Sequence, residues 1–227
     1  MKARRIFVYG AGGHGKVVAD ALLSRGEGEF AGFVDDREEM RGRWILGWPV
    51  CGDGEWLKRE AARGPVAVAL GVGDNYARKM LAERCAAWGV EMVTVAHATA
   101  AVSKAAGVGC GTVVLANAVV NAEAQVGAGV IVNSGAVVEH DVVIGDYSHV
   151  APNATMGGSA RVGAMSHVGL GAAVLPGVQV GSHTIVGAGA VVTRNIGDHV
   201  VAVGVPARVR REVEPAGLMV VARESNE

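Results

Sequence analysis

The chain has 227 residues, half of them apolar, 4% aromatic and 34 glycine, which favours two domains built from small aliphatic layers. A formal net charge of −1 gives no bulk attraction to nucleic acid or to a membrane surface, and no apolar run is long enough to span a bilayer. Three scattered cysteines show neither zinc nor disulfide spacing, so we expect a cytoplasmic protein.

The first predicted element is a buried strand over residues 5–9, followed by a glycine-rich loop and a helix over 16–23. The loop contains Gly10, Gly12 and Gly15 in the pattern G-x-G-x-x-G. A strand, such a loop and a helix in this order bring backbone N–H groups and the positive helix end to a phosphate. The same pattern occurs in NAD-binding domains, and a purely structural tight turn is a further alternative.

A second predicted strand, over residues 30–34, ends at Asp35-Asp36, where carboxylates can hold ribose hydroxyls or a base edge. A third strand over 66–70 ends at Gly71-Val-Gly73, and a helix over 76–88 and a last strand over 91–95 follow. This region lacks the second half of a dinucleotide fold. The pattern therefore predicts a Rossmann-like βαβ domain over residues 1–96 that binds one nucleotide diphosphate, as in a nucleotide-sugar.

A strict period of six then begins at Val102. Sixteen consecutive positions from Val102 to Val192 carry an aliphatic residue or Met, and a small or β-branched residue follows each after four places. A helix with 3.6 residues per turn cannot keep this period on one face, and a simple strand would show a period of two. Short parallel strands joined by tight turns can keep it, each coil stacking about 4.8 Å from the last. Low-complexity sequence is the alternative, but it would not hold sixteen matches in register.

This repeat resembles that of the left-handed β-helix acyltransferases, in which three hexapeptides form one coil of a triangular prism. The resemblance implies a left-handed parallel β-helix over residues 97–210, without an inserted loop between residues 102 and 197. Residues 211–227 are then a C-terminal tail to which the resemblance assigns nothing.

Both halves together resemble one narrower family. The glycine loop, Asp35-Asp36 and the run from Glu139 to His149 are similar to motifs of the bacterial nucleotide-aminosugar N-acetyltransferases of the bacillosamine and perosamine pathways. The sialic acid O-acetyltransferases are their relatives. The resemblance implies a homotrimer that acetylates the 4-amino group of a UDP- or GDP-linked amino-dideoxy sugar with acetyl-CoA, for glycan biosynthesis. The residues themselves distinguish neither UDP from GDP nor an amine from a hydroxyl acceptor.

The same resemblance implies roles for individual residues. His140 is the general base and Asp141 raises its basicity, although the bacillosamine enzymes carry Glu there, so we expect the shorter Asp to orient the ring less directly. The residues implied to contact the nucleotide-sugar are Gly12, Gly13, His14, Asp35, Asp36 and Gly73. The residues implied to line the coenzyme A channel are His149, Gly158, Leu170 and Ala188, with Gly158 near the thioester oxyanion. No metal is implied.

The repeat spacing adds geometry to these roles. His140 and Gly158 are eighteen residues apart, one coil, so they should stack at one corner, where the glycine leaves space for a substrate. His140 and His149 are nine residues apart, half a coil, so they should point to opposite sides of one prism. If both act, the site is assembled between subunits.

Two other functions remain open from the sequence. The histidines at 140, 149, 167 and 183 could suggest a zinc enzyme of the β-helix carbonic anhydrase type. Zinc requires converging nitrogens at about 2 Å, however, and the spacing here is not that family's, whose members lack a glycine-loop domain. A non-catalytic nucleotide-sugar-binding protein would bind the sugar without turning over acetyl-CoA.

Overall fold

The computed structural model describes residues 4–26 and 28–213. Its N-terminal part is one sheet flanked by helices. The strands are β1 (Arg5–Tyr9), β2 (Glu29–Val34), β3 (Trp44–Ile45), β4 (Trp48–Gly52), β5 (Val66–Leu70) and β6 (Glu91–Met92). The helices are α1 (Gly13–Arg25), a 3₁₀ turn at Glu38–Met40, α2 (Gly54–Arg63) and α3 (Asn75–Ala87). The sheet order is β3-β4-β2-β1-β5-β6, and only the β3–β4 pair is antiparallel.

Two local predictions were wrong, and one region was missed. Helix α1 begins at Gly13 rather than at residue 16, because the extended backbone ends at the N-cap residue Gly12. The predicted last strand over 91–95 is two strands, β6 at the edge of the sheet and Val95–Ala96, which pairs with Val113–Val114 in the β-helix. Residues 44–63, for which no element was predicted, form β3, β4 and α2.

The glycine loop packs closely against its neighbours. Gly10 has a φ of +108°, and a Cβ there would lie 2.7 Å from the carbonyl oxygen of Gly71. A Cβ on Gly15 would lie 1.8 Å from the carbonyl oxygen of Gly10. Both positions therefore require glycine. Because neither has a side chain, the ends of β1 and β5 can pack directly against the start of α1.

From residue 95 the chain winds into a parallel β-helix of three faces. The strands of the first face are Val95–Ala96, Val113–Val114, Ile131–Val132, His149–Val150, His167–Val168, Ile185–Val186 and Val200–Val203, followed by the antiparallel Arg208–Glu212. The second face contains Ala101–Val102, Val119–Val120, Val137–Val138, Thr155–Met156, Ala173–Val174 and Val191–Val192. The third face contains Gly107–Val108, Gln125–Val126, Val143–Ile144, Arg161–Val162 and Gln179–Val180.

The period-six positions fill the core of the prism, as predicted. From Val114 to Val192, each of them is at most 4% exposed. Each strand pairs with the strand eighteen residues later, so Val120 lies beside Val138 and Val138 beside Met156. The predicted fold class, a Rossmann-like domain followed by a left-handed parallel β-helix, is confirmed.

The three corners of the prism differ in their buried residues. We call the corner between the second and third faces the histidine corner, because His140 lies there, and the corner between the third and first faces the docking corner, because it contacts α3. The buried positions of the histidine corner are apolar: Ala124, Val142, Ala160 and Val178. Those of the docking corner are mostly hydroxyls: Thr112, Val130, Ser148, Ser166 and Thr184. The corner between the first and second faces buries alanines.

Among residues 4–26 and 28–213, no helix combines the length and the apolar character needed to cross a membrane.

Candidate functional site

A cavity of about 560 Å³ lies at the carboxyl ends of β1, β2 and β5. This is the edge at which open α/β sheets bind ligands. All six residues predicted to contact a nucleotide-sugar line it: Gly12, Gly13, His14, Asp35, Asp36 and Gly73. The start of α1 faces the cavity, and its N-cap residue, Gly12, has no side chain to cap the first amides. The arrangement suits a phosphate group.

Asp35 is held at the end of β2 by the neighbouring loops. Its carboxylate accepts hydrogen bonds from the Ala11 amide at 2.7 Å and from Arg37 Nε and Nη2, each at 2.9 Å. Burial opposes ionisation, but the bonds from Arg37 and Ala11 outweigh it and lower the pKa of Asp35. Arg37 is half exposed and lines the cavity, so it brings a cation to the same edge.

Asp36 anchors the other wall of the cavity. Its carboxylate accepts the Tyr9 hydroxyl at 2.9 Å, the Gly54 amide at 2.9 Å and Arg84 Nη1 at 2.8 Å. Burial acts against ionisation, yet these donors, Arg84 foremost, lower the pKa of Asp36. Arg84 also lies 5.0 Å above the ring of Trp88. The carboxylate therefore orders the wall in addition to facing the cavity.

A row of histidines lies where the glycine loop meets the first face. The ring centroids of His14 and His149 are 6.4 Å apart, and those of His149 and His167 are 4.8 Å apart. Burial lowers the pKa of His14 to about 4 and also lowers the pKa values of His149 and His167. These imidazoles are therefore neutral near pH 7. The Nε2 atom of His14 is buried and has no partner among the described residues.

His149 is oriented by its hydrogen bonds. Asn133 Nδ2 donates to His149 Nε2 at 2.9 Å, so this ring nitrogen acts as an acceptor. His149 also hydrogen-bonds to the backbone of Gly73, in the loop after β5. The histidine thus connects the first face to the cavity at the start of α1.

The histidine corner presents a different imidazole. His140 is largely exposed, and its Nδ1 donates to Asp141 Oδ2 at 2.7 Å. This hydrogen bond raises the pKa of His140 and leaves its Nε2 as the acceptor. The expectation that the shorter Asp141 would orient the ring less directly was wrong. Asp141 has a φ of +61°, and at this tight turn its carboxylate reaches the ring directly.

Gly158 stacks one coil above His140, as the repeat spacing predicted. A Cβ on Gly158 would lie 2.6 Å from His140 Nε2. The space above the histidine is therefore filled by the imidazole itself, and the prediction that it remains free for a substrate was wrong. The glycine instead lets the ring fold over the next turn and holds Nε2 beside the Gly158 backbone.

The predicted site residues fall into two groups within one chain. Leu170 and Ala188 are exposed at the corner between the first and second faces, where the Gly189 amide bonds to the Leu170 carbonyl at 2.8 Å. They lie at the edge of the face that carries His149. His140, Asp141 and Gly158 lie at the histidine corner, across the second face. The structure thus brings the cavity at the start of α1 and His149 together and separates both from His140.

The remaining histidines do not form a metal centre. His183 and His199 stack at 4.8 Å, and Tyr76 contacts His183 Nδ1 at 3.0 Å. Across the described part of the chain, no cluster of three or more His, Cys, Asp or Glu residues is arranged to hold a metal ion.

Several residues near the site were missed in the sequence. One is Arg37, which contacts Asp35, and another is Arg84, which contacts Asp36. A third is Asn133, which contacts His149. Asn75 and Arg78 lie at the start of α3 and bond across to the docking corner. The recurrence of hydroxyls at only one corner, with a period of eighteen, was visible in the sequence and would have marked that corner as different.

Comparisons with known proteins agree with this geometry. The PglD N-terminal domain model matches residues 5–85, and the bacterial transferase hexapeptide model (six repeats) matches residues 123–158. UDP-N-acetylbacillosamine N-acetyltransferase of Bacillus subtilis (strain 168) is 39% identical over 109 residues, which are 47% of this chain and 49% of that protein. The match spans about half the length of this curated relative.

Two solved structures match nearly the whole chain. A mutant of perosamine N-acetyltransferase from Caulobacter crescentus, in complex with CoA and GDP-perosamine, superposes with a TM-score of 0.87 and 36% identity, over 93% of this chain and 100% of that one. The acetyltransferase domain of PglB from Neisseria gonorrhoeae FA1090, in complex with acetyl coenzyme A, has a TM-score of 0.84 and 36% identity, over 91% and 99%.

Proposed function

Because the chain belongs to the family of nucleotide-aminosugar N-acetyltransferases that includes perosamine N-acetyltransferase, we propose that it transfers the acetyl group of acetyl-CoA to the amino group of a nucleotide-linked amino-dideoxy sugar. One observation carries the proposal. The same chain has a cavity at the start of α1 that is lined by all six predicted residues, and an exposed imidazole oriented by a carboxylate.

The nucleotide diphosphate binds in the cavity at the start of α1. The free amides of the first helical turn face its phosphates, and Arg37 adds a cation at the rim. Asp35 and Asp36 are held ionised and act as acceptors for ribose or base groups. Gly12 and Gly13 line the cavity at the start of α1, and His14 and Gly73 line it where it meets His149 of the β-helix.

His140 is the general base. Its Nδ1–H is committed to Asp141, so Nε2 has a free lone pair that accepts a proton from the attacking amine. The nitrogen–carbon bond to the acetyl group forms, the carbon–sulfur bond breaks, and coenzyme A leaves as a thiolate. Asp141 stabilises the imidazolium that forms, as its effect on the pKa of His140 indicates.

The acyl donor binds along the β-helix, in contact with His149, Leu170 and Ala188 of one chain and with Gly158 of a neighbouring chain. The backbone N–H of Gly158 is proposed to stabilise the oxyanion that forms on the thioester carbonyl. Gly158 supports this role because the absence of a side chain leaves its backbone directly beside His140 Nε2.

The complete site is proposed to form between two subunits of a homotrimer. The nucleotide cavity and His149 lie on the first face, whereas His140 lies at the histidine corner of the same prism. A sugar held in the cavity of one chain therefore requires the His140 of a neighbour, and a closed three-fold ring would supply three such pairs. The free cysteines of the described residues fit a location in the cytoplasm.

A thiol-release assay tests the proposal. The purified protein is mixed with acetyl-CoA and a panel of UDP- and GDP-linked 4-amino sugars, with CMP-sialic acid as the hydroxyl acceptor. We expect turnover with at least one amino sugar and none with the corresponding 4-hydroxy sugar. Turnover of CMP-sialic acid alone would replace N-acetylation with O-acetylation, and no turnover of any acceptor would contradict the proposed activity.

A further inference from the structure

Arg78 is a charged side chain almost completely inside the protein. It is 1% exposed and lies in the first turn of α3, three residues after the buried Asn75, whose side chain also bonds to the β-helix. Among the described residues it forms no ion pair with a carboxylate. Burial lowers its pKa to about 10, so the guanidinium is still charged near pH 7.

The partners of Arg78 belong to two different parts of the molecule. Its Nη1 donates to the carbonyls of Val72 at 3.3 Å and Gly73 at 3.0 Å, in the loop that lines the nucleotide cavity. Its Nε donates to the Gly129 carbonyl at 2.7 Å, and its Nη2 to the Tyr147 carbonyl at 2.7 Å, at the docking corner. We call residues 71–74 the nucleotide loop. One side chain thus holds this loop together with two successive turns of the β-helix.

Two further contacts complete the set. Nη2 also donates to Asn75 Oδ1 at 2.8 Å and to the Ser148 carbonyl at 3.3 Å. All five N–H groups of the guanidinium are therefore used, and every acceptor is neutral. A lysine has one nitrogen and cannot span these carbonyls, because its three donors diverge from a single point.

The position of these carbonyls connects Arg78 to the site. Tyr147 and Ser148 immediately precede His149, and Gly73 hydrogen-bonds both to Arg78 and to His149. A shift of the loop relative to the first face would therefore displace the sugar-binding cavity from the strand that carries His149. Burying a charged guanidinium without a carboxylate partner costs free energy. The six hydrogen bonds of Arg78 offset that cost only when the loop and the β-helix are in one relative position.

We propose that Arg78 is a positioning residue that fixes the nucleotide loop against the β-helix, so that a bound sugar is presented at one place relative to the neighbouring His140. This inference rests on the proposed function. Because small misplacements of reacting groups can cost about a hundredfold in rate, the contribution of Arg78 is to kcat and not to the affinity for acetyl-CoA.

The test uses Arg78→Lys and Arg78→Met in the full chain, with Tyr76→Phe as the matched control. Tyr76 bonds across the same interface to His183, but this bond does not include the nucleotide loop. We expect kcat per folded protein to fall about 10–100-fold in Arg78→Met and less in Arg78→Lys, with the KM for acetyl-CoA within about threefold of the parent. Tyr76→Phe should keep kcat within about twofold. A purely structural role would lower thermal stability but leave kcat unchanged.

Hydrogen exchange separates this inference from the proposed activity. In Arg78→Lys without substrate, amides of residues 71–74 and 146–149 should exchange faster, while those of the histidine corner should not change. If the parent protein acetylates no amino sugar, the proposed function fails, and the exchange experiment alone then decides on Arg78. Unchanged exchange at 71–74, or a kcat within twofold of the parent in both Arg78 variants, would overturn the inference.

Discussion

The histidine corner and the docking corner are built from the same hexapeptide repeat but differ in their buried positions. At the histidine corner these positions are apolar, and the polar chemistry is on the outside, where His140 contacts Asp141. At the docking corner they are mostly hydroxyls, and the exterior contacts α3. A repeat that fixes the backbone thus leaves each corner free to take a separate role.

From Ser148 to Thr184, the hydroxyls of the docking corner form a ladder. Ser148 Oγ donates to the Gly163 carbonyl at 2.7 Å and accepts the Ser166 amide at 3.0 Å. Ser166 Oγ makes the same pair of contacts with Gly181 and Thr184 one coil later. These side chains satisfy the turn backbone from inside, while outward carbonyls of the same turns accept Arg78 and Asn75. The ladder therefore supports the corner on which the N-terminal domain rests.

Two histidines show the same contrast. At the histidine corner, hydrogen bonding to Asp141 raises the pKa of the exposed His140. Beside the nucleotide loop, burial lowers the pKa of His149. The first can accept a proton and stabilise the charge, whereas the second is kept neutral as a hydrogen-bonding group. The environment of each ring, and not its residue type, separates base from ligand contact.

The largest expected effect is at His140. His140→Ala removes the proton acceptor while leaving the distant nucleotide cavity intact, so kcat should fall about 10²–10⁴-fold with nucleotide affinity unchanged. Thiol release and calorimetric titration with UDP and GDP would measure the two quantities. His97→Ala, which removes an imidazole that bonds to Thr99 instead, is the control. Full activity of His140→Ala would reject the role of general base.

Next in size is a change that displaces the imidazole without removing it. In Gly158→Ala the new Cβ would lie 2.6 Å from Nε2, so the ring must turn away, and kcat should fall about 10–100-fold. Gly197→Ala is the matched control, since nothing lies within 4 Å of a Cβ there. Equal activity of the two variants would show that the stacking of Gly158 on His140 has no catalytic role.

A smaller effect, but one with a defined sign, is expected from Asp141→Asn. Because the base must be neutral, activity rises with pH through the pKa of His140, which Asp141 raises. The variant should therefore shift the acidic limb of the kcat profile to lower pH, and its weaker base should reduce kcat about threefold to tenfold. Glu123→Gln, one coil away at the same corner, should leave the limb in place. If the acidic limb of the kcat profile does not move in Asp141→Asn, the claim that Asp141 raises the pKa of His140 is contradicted.

The smallest effect on catalysis is expected at the docking corner. Ser166→Ala leaves the Thr184 amide and the Gly181 carbonyl without their partner, so the protein should lose about 1–3 kcal/mol of stability while kcat stays within about twofold. Thermal unfolding measures the loss of stability, and thiol release measures kcat. Ser103→Ala removes an acceptor of an exposed amide only and should change stability by less than about 0.5 kcal/mol. A large loss of kcat in Ser166→Ala would contradict the claim that the docking corner contributes to stability and not to catalysis.

The repeat allowed most of the β-helix to be predicted. A period of six in valine positions determines the core, and a spacing of eighteen correctly placed Gly158 over His140. The six candidate contacts of the nucleotide cavity were also visible, because they follow strands whose carboxyl ends meet at one edge. These features depend on local pattern and on sheet topology, both of which the sequence carries directly.

What could not be predicted depends on contacts between distant segments. Arg78 looks like a surface residue of an ordinary helix, and only the packing of α3 against residues 129–148 shows that it is buried. The direct contact of Asp141 with His140 depends on a turn with positive φ, which residue type alone did not indicate. Likewise, the repeat spacing placed a glycine above His140, but it did not indicate that the imidazole itself fills the space there.

The central claim is that the site combines the cavity of one chain with His140 of another, and mixed oligomers test it most directly. One variant, His140→Ala, lacks the base, and a second, Gly13→Trp, fills the cavity from a position with nothing within 4 Å of its Cβ. Each should be inactive alone. Co-expressed in equal amounts and purified through two different tags, they should recover about a third of the parent activity, because every mixed trimer holds one intact cavity beside one intact neighbouring base. Activity no greater than the sum of the two variants alone would contradict a shared site.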